Sequence, residues 1–224
     1  MQVGVAEGGG LSGSKYSFVA SQPARNILVL LFCWLGLAAA APAAGLADAY
    51  KSYPAGEYGT AINPPKALPE VALMNEFGEA VAADALQGHI TLLFFGFTHC
   101  PHICPTTLSM LRGIRDRLPA GQAQQLQVWL VTVDPMRDSA ERLKQYLANF
   151  GPGFHGARAE LGELIPLLQA LGVGYSYRAD ENGESYDVDH TTSIFLLNGR
   201  GELARVYTSP HDAQRLLASL KKEL

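Results

Sequence analysis

The chain has 224 residues, of which 48% are hydrophobic and 17% charged, so it can bury a core of ordinary size and is too apolar for disorder over most of its length. Its formal net charge of −4 gives it no electrostatic footprint for nucleic acid, and we expect no nucleic-acid partner. Three cysteines are too few for a disulfide scaffold. Cys33 lies in an apolar run, which leaves Cys100 and Cys104 as one close pair.

The N-terminal part of the chain has the composition of a targeting region. We predict a disordered leading segment at 1–26, an apolar signal or membrane-anchor segment at 27–44 and a tether at 45–67. The apolar run is shorter than the roughly 20 residues that span a bilayer comfortably, so a cleaved signal and a retained anchor both stay open. In either case we expect the folded domain, 68–224, to be exported to the bacterial periplasm, tethered to the inner membrane or released.

The first predicted elements of this domain are strands followed by a helix. Residues 70–82 predict two short strands around a turn, and the nearly continuous apolar run at 89–97 predicts a strand buried on both faces. A helix is predicted from Pro105 to Leu118, because leucine and isoleucine recur there on one helical face and proline suits a first helical position.

The rest of the domain continues the alternation of strands and helices. The further predicted elements are a buried strand at 128–133, a helix at 138–150 opened by a capping box from Asp138 to Glu141, a helix at 163–171, strands at 193–197 and 202–207, and a closing helix from Ser209-Pro210. The polar, acidic residues 174–189 predict a solvated hairpin that turns at Asn182-Gly183. This order of elements describes an α/β sandwich.

Cys100 and Cys104 lie where the strand at 89–97 leads into the helix from Pro105. Four residues apart in a first helical turn, both sulfurs face the same way, and a helix N-terminus lowers the pKa of a thiol. Two thiolates are soft ligands that suit copper(I), and a histidine would complete three-coordination. Dithiol exchange, a peroxidase-like thiol enzyme and a structural disulfide in a non-catalytic domain stay open as alternatives.

His190 is the candidate third ligand among the six histidines. It precedes the strand at 193–197, which in a thioredoxin-like arrangement lies beside the strand ending at Cys100. From the residues alone, a ligand and an ordinary hydrogen-bonded histidine are equally good interpretations of His190. Oxidoreductases of the thioredoxin type use C-x₂-C and place a proline opposite the pair, whereas here the spacing is one residue longer and 189–193 contains no proline. That difference favours metal binding over disulfide exchange without excluding exchange.

Three stretches of the domain form a specific pattern: Phe95–Pro105 (FGFTHCPHICP), Val133–Asp138 (VDPMRD) and Tyr186–His190 (YDVDH). In these stretches the chain resembles the Sco/SenC family of copper-assembly proteins for cytochrome c oxidase. The resemblance implies a thioredoxin-like fold and an exported, membrane-facing domain.

The same resemblance implies a copper ion, Cu(I) or Cu(II) or both, held by Cys100, Cys104 and His190. We therefore expect a copper metallochaperone for the dinuclear copper centre of the oxidase, with a copper-receiving oxidase subunit and a copper donor protein as partners. The alternative within the family is a thiol–disulfide reductase that keeps the oxidase's copper-ligand cysteines reduced. The first function is binding and transfer rather than enzymatic turnover.

Two further residues are candidates for supporting roles. The resemblance makes Asp134 a residue beside the metal site or in a docking surface, and a plain turn residue before Pro135 is an equal alternative. The family usually carries an acidic residue at the position of His102, so the histidine removes a negative charge, offers another ligand and bears on partner choice. A sharper hypothesis for the hairpin at 174–189 is that it moves His190 on and off copper.

Overall fold

The computed structural model describes residues 57–82, 84–180, 182 and 185–224. The predicted leading segment, the apolar segment at 27–44 and the tether as far as residue 56 lie outside the described residues. Within the described ranges, no helix is long and apolar enough to cross a membrane.

Strands and helices alternate along the described part of the chain. In chain order they are β1 (Thr60–Lys66), β2 (Met74–Asn75), β3 (Ile90–Gly96), α1 (Ile103–Arg115), α2 (Ala120–Gln125), β4 (Leu126–Thr132), α3 (Ala140–Leu147), β5 (Phe154–Arg158), α4 (Leu161–Leu171), β6 (Tyr175–Ala179), β7 (Tyr186–His190), β8 (Ile194–Leu197), β9 (Leu203–Tyr207) and α5 (Ala213–Glu223). A seven-stranded sheet has the order β1-β9-β8-β3-β4-β5-β2, and β6 pairs with β7 in a separate two-stranded sheet. The predicted α/β class is confirmed.

Strand β3 occupies the centre of the large sheet, parallel to β4 and antiparallel to β8. The apolar run predicted such a strand, and Leu92, Phe94 and Phe95 have no exposed surface. Because β3 and β4 are parallel and Gly96 lies opposite Thr132, both strands end at the same edge of the sheet. The β3–α1 loop and the β4–α3 loop therefore leave the sheet side by side.

The predicted tether needs correction at its C-terminal end, because residues 60–66 form β1 and pair with β9. Two consecutive prolines, Pro64 and Pro65, disfavour regular structure in this segment. However, β1 is an edge strand, where a proline that lacks an N–H leaves no partner unsatisfied. The register shifts between Ala61 and Lys66, so the strand accommodates the two prolines with an irregularity.

Strand β5, which pairs in parallel with β4 inside the sheet, is not among the elements predicted from the sequence. Gly151 and Gly153 take positive φ angles of 89° and 78° just before it, so the glycine-rich composition belongs to the turn that leads into the strand.

Helices α1 and α4 each begin two residues before their predicted starts, at Ile103 and Leu161, and α3 and α5 begin later than predicted. Helix α3 begins at Ala140 with Ser139 as its cap, the Ser139 side chain accepting from the Arg142 N–H, so the predicted Asp138 cap is wrong by one residue. Helix α5 begins at Ala213, where the Asp212 side chain caps it, rather than at Ser209-Pro210. Both α3 and α5 start where a side-chain oxygen accepts from the free N–H groups of the first turn.

The predicted hairpin at 174–189 is confirmed as β6 and β7, whose register places Tyr175 opposite His190. Most of its side chains are exposed, and Val188 is the buried exception among those described. His190 therefore lies at the end of a strand of this hairpin rather than in a loop before β8.

Candidate metal centre

The two cysteines come together at the junction of β3 and α1. Cys100 lies in the loop that follows β3, and Cys104 lies in the first turn of α1. The Cys104 backbone N–H donates to Cys100 Sγ across 3.5 Å. Both thiols are free, with Cys100 9% exposed and Cys104 fully buried, so any ion they share is shielded from water.

His190 reaches the thiols from the end of β7. Its Nε2 lies 3.6 Å from Cys104 Sγ, and its Nδ1 lies 3.0 Å from the carbonyl oxygen of Thr191. A carbonyl oxygen only accepts, so Nδ1 carries the proton and Nε2 keeps a lone pair for a metal. The rings of Phe94 and Phe97 stand edge-on to the imidazole, at centroid distances of 6.2 and 5.8 Å, and limit its rotation.

The donor set fits a soft metal ion. The Sγ atoms of Cys100 and Cys104 and a ring nitrogen of His190 all lie within 4.8 Å of one another. Two sulfurs and one imidazole nitrogen suit Cu(I), whereas structural zinc sites almost always have four protein ligands. The arrangement therefore offers three-coordination of one soft ion.

The pKa values of the two thiols are shifted in opposite directions. The pKa of Cys100 is lowered to about 3, chiefly because the Cys104 thiol donates a hydrogen bond to it, with further help from His190 and from the backbone N–H groups of Cys104 and His102, against the effect of burial. The pKa of Cys104 is raised because that hydrogen bond and its burial both favour the protonated thiol. Of the two sulfurs, Cys100 is therefore the more readily ionised, and a metal ion bound by both must displace the proton that Cys104 retains.

Gly96, the last residue of β3, leaves room for the side chain of Cys104. A Cβ atom at this position would lie 2.8 Å from Cys104 Sγ and 3.1 Å from Leu130 and Phe94. Sequence reasoning missed this residue. The available signal was a glycine inside a buried aromatic strand, which often marks a close approach of another group to the backbone.

Asp138 was also missed as a site residue. Its side chain holds the loop that carries Cys100 in place through hydrogen bonds. Its buried carboxylate accepts from the Thr98 N–H (2.9 Å), the Thr98 hydroxyl (2.7 Å) and the Thr132 hydroxyl (2.7 Å). Nδ1 of His99 lies 3.5 Å from the same group. The carboxylate thus ties together the two loops that leave β3 and β4, one of which carries Cys100.

Asp134 is fully buried and accepts hydrogen bonds from Arg137 Nε and, across 2.8 Å, from the Tyr186 hydroxyl. It does more than a plain turn residue, because it joins the β4–α3 loop to the hairpin that carries His190. A second group of possible metal donors joins Asp134 and Asp138 to His99, again within 4.8 Å. Both carboxylates are already occupied by hydrogen-bond donors, so this group organises the loops.

His102 lies at the cap position of α1, where its side chain is exposed and makes no capping hydrogen bond. It falls outside both groups of possible metal donors found among the described residues. The structure therefore brings Cys100, Cys104 and His190 together and leaves His102 at the rim.

The comparisons with known proteins agree on one family. The sequence profile of the SCO1/SenC family matches residues 60–224. A relative from Stutzerimonas stutzeri, described as a putative copper-binding protein, is 38% identical over 62% of this chain and 67% of its own length. The apo Sco1 protein of Thermus thermophilus has a similar structure, with a TM-score of 0.65 and 30% identity over 77% of this chain and all (100%) of that one.

A third relative has a solved structure that contains copper. Arabidopsis thaliana ScoI with copper bound matches with a TM-score of 0.63 and 28% identity, over 75% of this chain and 98% of that chain. These structural matches confirm the predicted thioredoxin-like fold for the described domain.

Proposed function

Since this chain belongs to the SCO1/SenC family, we propose that it binds one copper ion through Cys100, Cys104 and His190 and delivers it to the dinuclear copper centre of cytochrome c oxidase. The observation that carries the proposal is the convergence of two thiol sulfurs and one imidazole nitrogen within 4.8 Å in a shielded position. Copper(I) is the ion that this soft donor set suits best. Copper is the cargo in this function, received from a donor protein and passed to an oxidase subunit.

The proposed location follows from the same function. We place the folded domain, with β1 as its first strand, on the outer side of the membrane, in the periplasm, and the N-terminal residues as signal or anchor. Both cysteines of the described domain are free thiols, and in an oxidising compartment such thiols need protection from oxidation. Bound copper would give that protection, because a thiolate that ligates the metal is not available to form a disulfide.

The direct test is copper stoichiometry and ligand type in the purified protein. We expect one copper per chain by elemental analysis, and two sulfurs with one or two nitrogens by X-ray absorption. His190→Ala should lose one nitrogen. His89→Ala is the matched control, because that exposed histidine precedes the opposite end of β3 and should leave the metal ligands unchanged. A wild-type protein that retains no copper would overturn the proposal.

A thiol–disulfide reductase is the second candidate, and the split between the two thiols favours it. Cys100 is the more exposed cysteine and has a lowered pKa, while the pKa of the buried Cys104 beside it is raised. The Cys100 thiolate would attack a disulfide of the target and form a mixed disulfide. Cys104 would then lose its proton and resolve that bond, which leaves a reduced target and a Cys100–Cys104 disulfide that another dithiol must reduce.

The two functions differ in their need for His190. A copper carrier loses transfer to an acceptor in Cys100→Ser, Cys104→Ser and His190→Ala alike. A reductase loses activity in the cysteine variants but keeps most of it in His190→Ala, because a thiol exchange step uses only the sulfurs. Copper transfer and thiol titration of an oxidised copper-site peptide, measured on the same three variants, separate them.

A further inference from the structure

The hairpin of β6 and β7, which ends at His190, is attached to the rest of the domain mainly by side chains. In the described part of the chain, no backbone ladder joins its two-stranded sheet to the seven-stranded sheet. Its base is closed where the Thr191 N–H donates to the Gly174 carbonyl and the Gly174 N–H donates to the Thr191 hydroxyl, both at 2.9 Å. Such a hairpin can open away from the domain and loosen without breaking the main sheet, and its amides then exchange more readily with solvent.

The side-chain attachments converge on the β4–α3 loop. Arg137 lies with its guanidinium 3.8 Å from the centroid of the Tyr186 ring, and it donates to the Tyr186 carbonyl across 2.9 Å. The same guanidinium donates to Asp134, which also accepts from the Tyr186 hydroxyl. Farther along the hairpin, the Tyr177 hydroxyl donates to the Val133 carbonyl across 2.5 Å.

These contacts act on the metal ligand through short connections. Tyr186 and His190 are the two ends of β7, so a contact that fixes one end restrains the other. Arg137 also lies 5.7 Å from the centroid of the Phe97 ring, which itself packs against the His190 imidazole. The buried Asp134 carboxylate gains its phenol donor only when the hairpin is closed, which gives the closed position an electrostatic advantage.

We propose that Asp134, Arg137 and Tyr186 form a latch that holds His190 over the two thiols, and that opening of this latch controls the release of copper to an acceptor. The proposal rests on the copper-carrying function. Opening breaks the bond between copper and His190 Nε2 and leaves the ion on two sulfurs, so a ligand of the acceptor can take the vacated position. No electron or proton needs to be transferred in that exchange.

The latch sets how often the site is open. A closed and an open hairpin interconvert, and each latch contact shifts their populations toward the closed one. Removing one hydrogen bond to a charged group should raise the open population about tenfold. Copper release should become faster by a similar factor, because the open hairpin is the state that an acceptor reaches.

The test compares Tyr186→Phe with Tyr175→Phe in the full chain. Tyr186→Phe removes the phenol that donates to Asp134 and keeps the ring under Arg137. Tyr175→Phe makes the same chemical change directly opposite His190, where no hydrogen bond of the Tyr175 hydroxyl occurs within the described residues. We expect hydrogen exchange of the β6 and β7 amides in the metal-free protein to rise about tenfold in Tyr186→Phe alone. Release of Cu(I) to a chromogenic chelator in stopped flow should accelerate in parallel.

Arg137→Lys provides the second variant, because lysine keeps the charge near Asp134 but loses the planar stack on Tyr186 and the paired donors. It should also raise hairpin exchange and copper release. Equal exchange and equal release in wild type, Tyr186→Phe and Arg137→Lys would overturn the latch. Faster exchange with unchanged release would also overturn it as a control on transfer. If wild type retains no copper, the carrier function fails, and the exchange measurement on metal-free protein still tests the latch by itself.

Discussion

At Gly96 the missing side chain makes room for Cys104 Sγ. We expect Gly96→Ala to displace this sulfur, because the added Cβ would meet it at 2.8 Å and the neighbouring Leu130 and Phe94 are fully buried. Overpacking of this kind costs about 1–3 kcal/mol of stability. Copper affinity should fall as well, since the sulfur moves relative to His190. Competition titration with a Cu(I) chelator and thermal unfolding of the metal-free protein measure the two effects.

Gly113→Ala is the control for that substitution. Gly113 lies in α1, and a Cβ atom there would meet nothing within 4 Å. Alanine is the better helix former, so this variant should gain up to about 1 kcal/mol of stability and keep its copper affinity. Equal copper affinity in both variants would show that the space at Gly96 does not matter for the metal.

The lowered pKa of Cys100 beside the Cys104 thiol predicts an unusual reactivity for Cys100. An ordinary thiol, with a pKa of about 8.5, loses about tenfold in thiolate for each pH unit below that value. Because its lowered pKa keeps Cys100 ionised, its alkylation by iodoacetamide should stay nearly constant from about pH 8 down to about pH 5. Cys104 should stay unmodified over that range, since its pKa is raised. Mass spectrometry of the labelled peptides gives both rates in the metal-free protein.

Cys104→Ala tests the cause of that reactivity. The substitution removes the thiol that donates to Cys100, so the Cys100 pKa should rise and its alkylation should slow markedly at acidic pH. A tenfold loss of rate per pH unit in the wild type would contradict the predicted thiolate.

Sequence reasoning found the donors of the site more readily than their supports. Cys100 and Cys104 follow from local spacing at a strand-to-helix junction. For His190 the residues alone leave two equal interpretations, and only the family resemblance favours the ligand. Asp138 was interpreted as a helix cap, because an aspartate before Ser139 has that chemistry locally. Its partner Thr98 lies in the loop after β3, 40 residues away in sequence, so no local pattern reveals that contact. Thr132, at the end of β4, is only six residues away.

At the scale of elements, the β3–α1 loop depends on a buried carboxylate in the neighbouring loop. We expect Asp138→Ala to lower the free energy of unfolding by about 3 kcal/mol, because it leaves the Thr98 N–H and the hydroxyls of Thr98 and Thr132 without their acceptor. Copper affinity should decrease too, since the loop carries Cys100. Urea unfolding of the metal-free protein, with an unchanged m-value, measures the first effect.

Asp116→Ala is the matched control for the loss of one aspartate. Asp116 forms an exposed ion pair with Arg112, with 3.9 Å between Arg112 Nε and the carboxylate. Exposed pairs of this kind within a helix contribute about 0.3–0.5 kcal/mol. Similar small effects of the two substitutions would refute the anchoring role of Asp138.

Besides the short helix α2, the elements that sequence reasoning missed are strands toward the edges of the sheet. Residues 89–97 and 128–133 predicted β3 and β4 well, because central parallel strands are continuous apolar runs. By contrast, β1 contains Pro64-Pro65, and β5 follows a turn with two glycines and contains His155. Such strands are recognisable once their pairing partners are known, and pairing is a property of the whole sheet.

At the scale of the whole molecule, the proposed copper site joins parts of the chain that are distant in sequence. Cys104 and His190 are 86 residues apart, and they belong to the α1 helix and to a hairpin outside the main sheet. An ion bound to both, and to Cys100 in the β3–α1 loop, crosslinks three structural elements. Because unfolding separates these ligands, copper should bind the folded chain far more tightly than the unfolded one.

This difference predicts a metal-linked gain in stability. With free Cu(I) held about 1,000-fold above its dissociation constant, the folded state gains about 4 kcal/mol. For a domain of this size the melting temperature should rise on the order of 10 °C, as measured by thermal unfolding under a copper buffer. A Cys100→Ala/Cys104→Ala double variant should show no rise, and His190→Ala a smaller one, because two sulfurs remain. An equal rise in the double variant would place the stabilising copper elsewhere, since no crosslink through the thiols could then produce it.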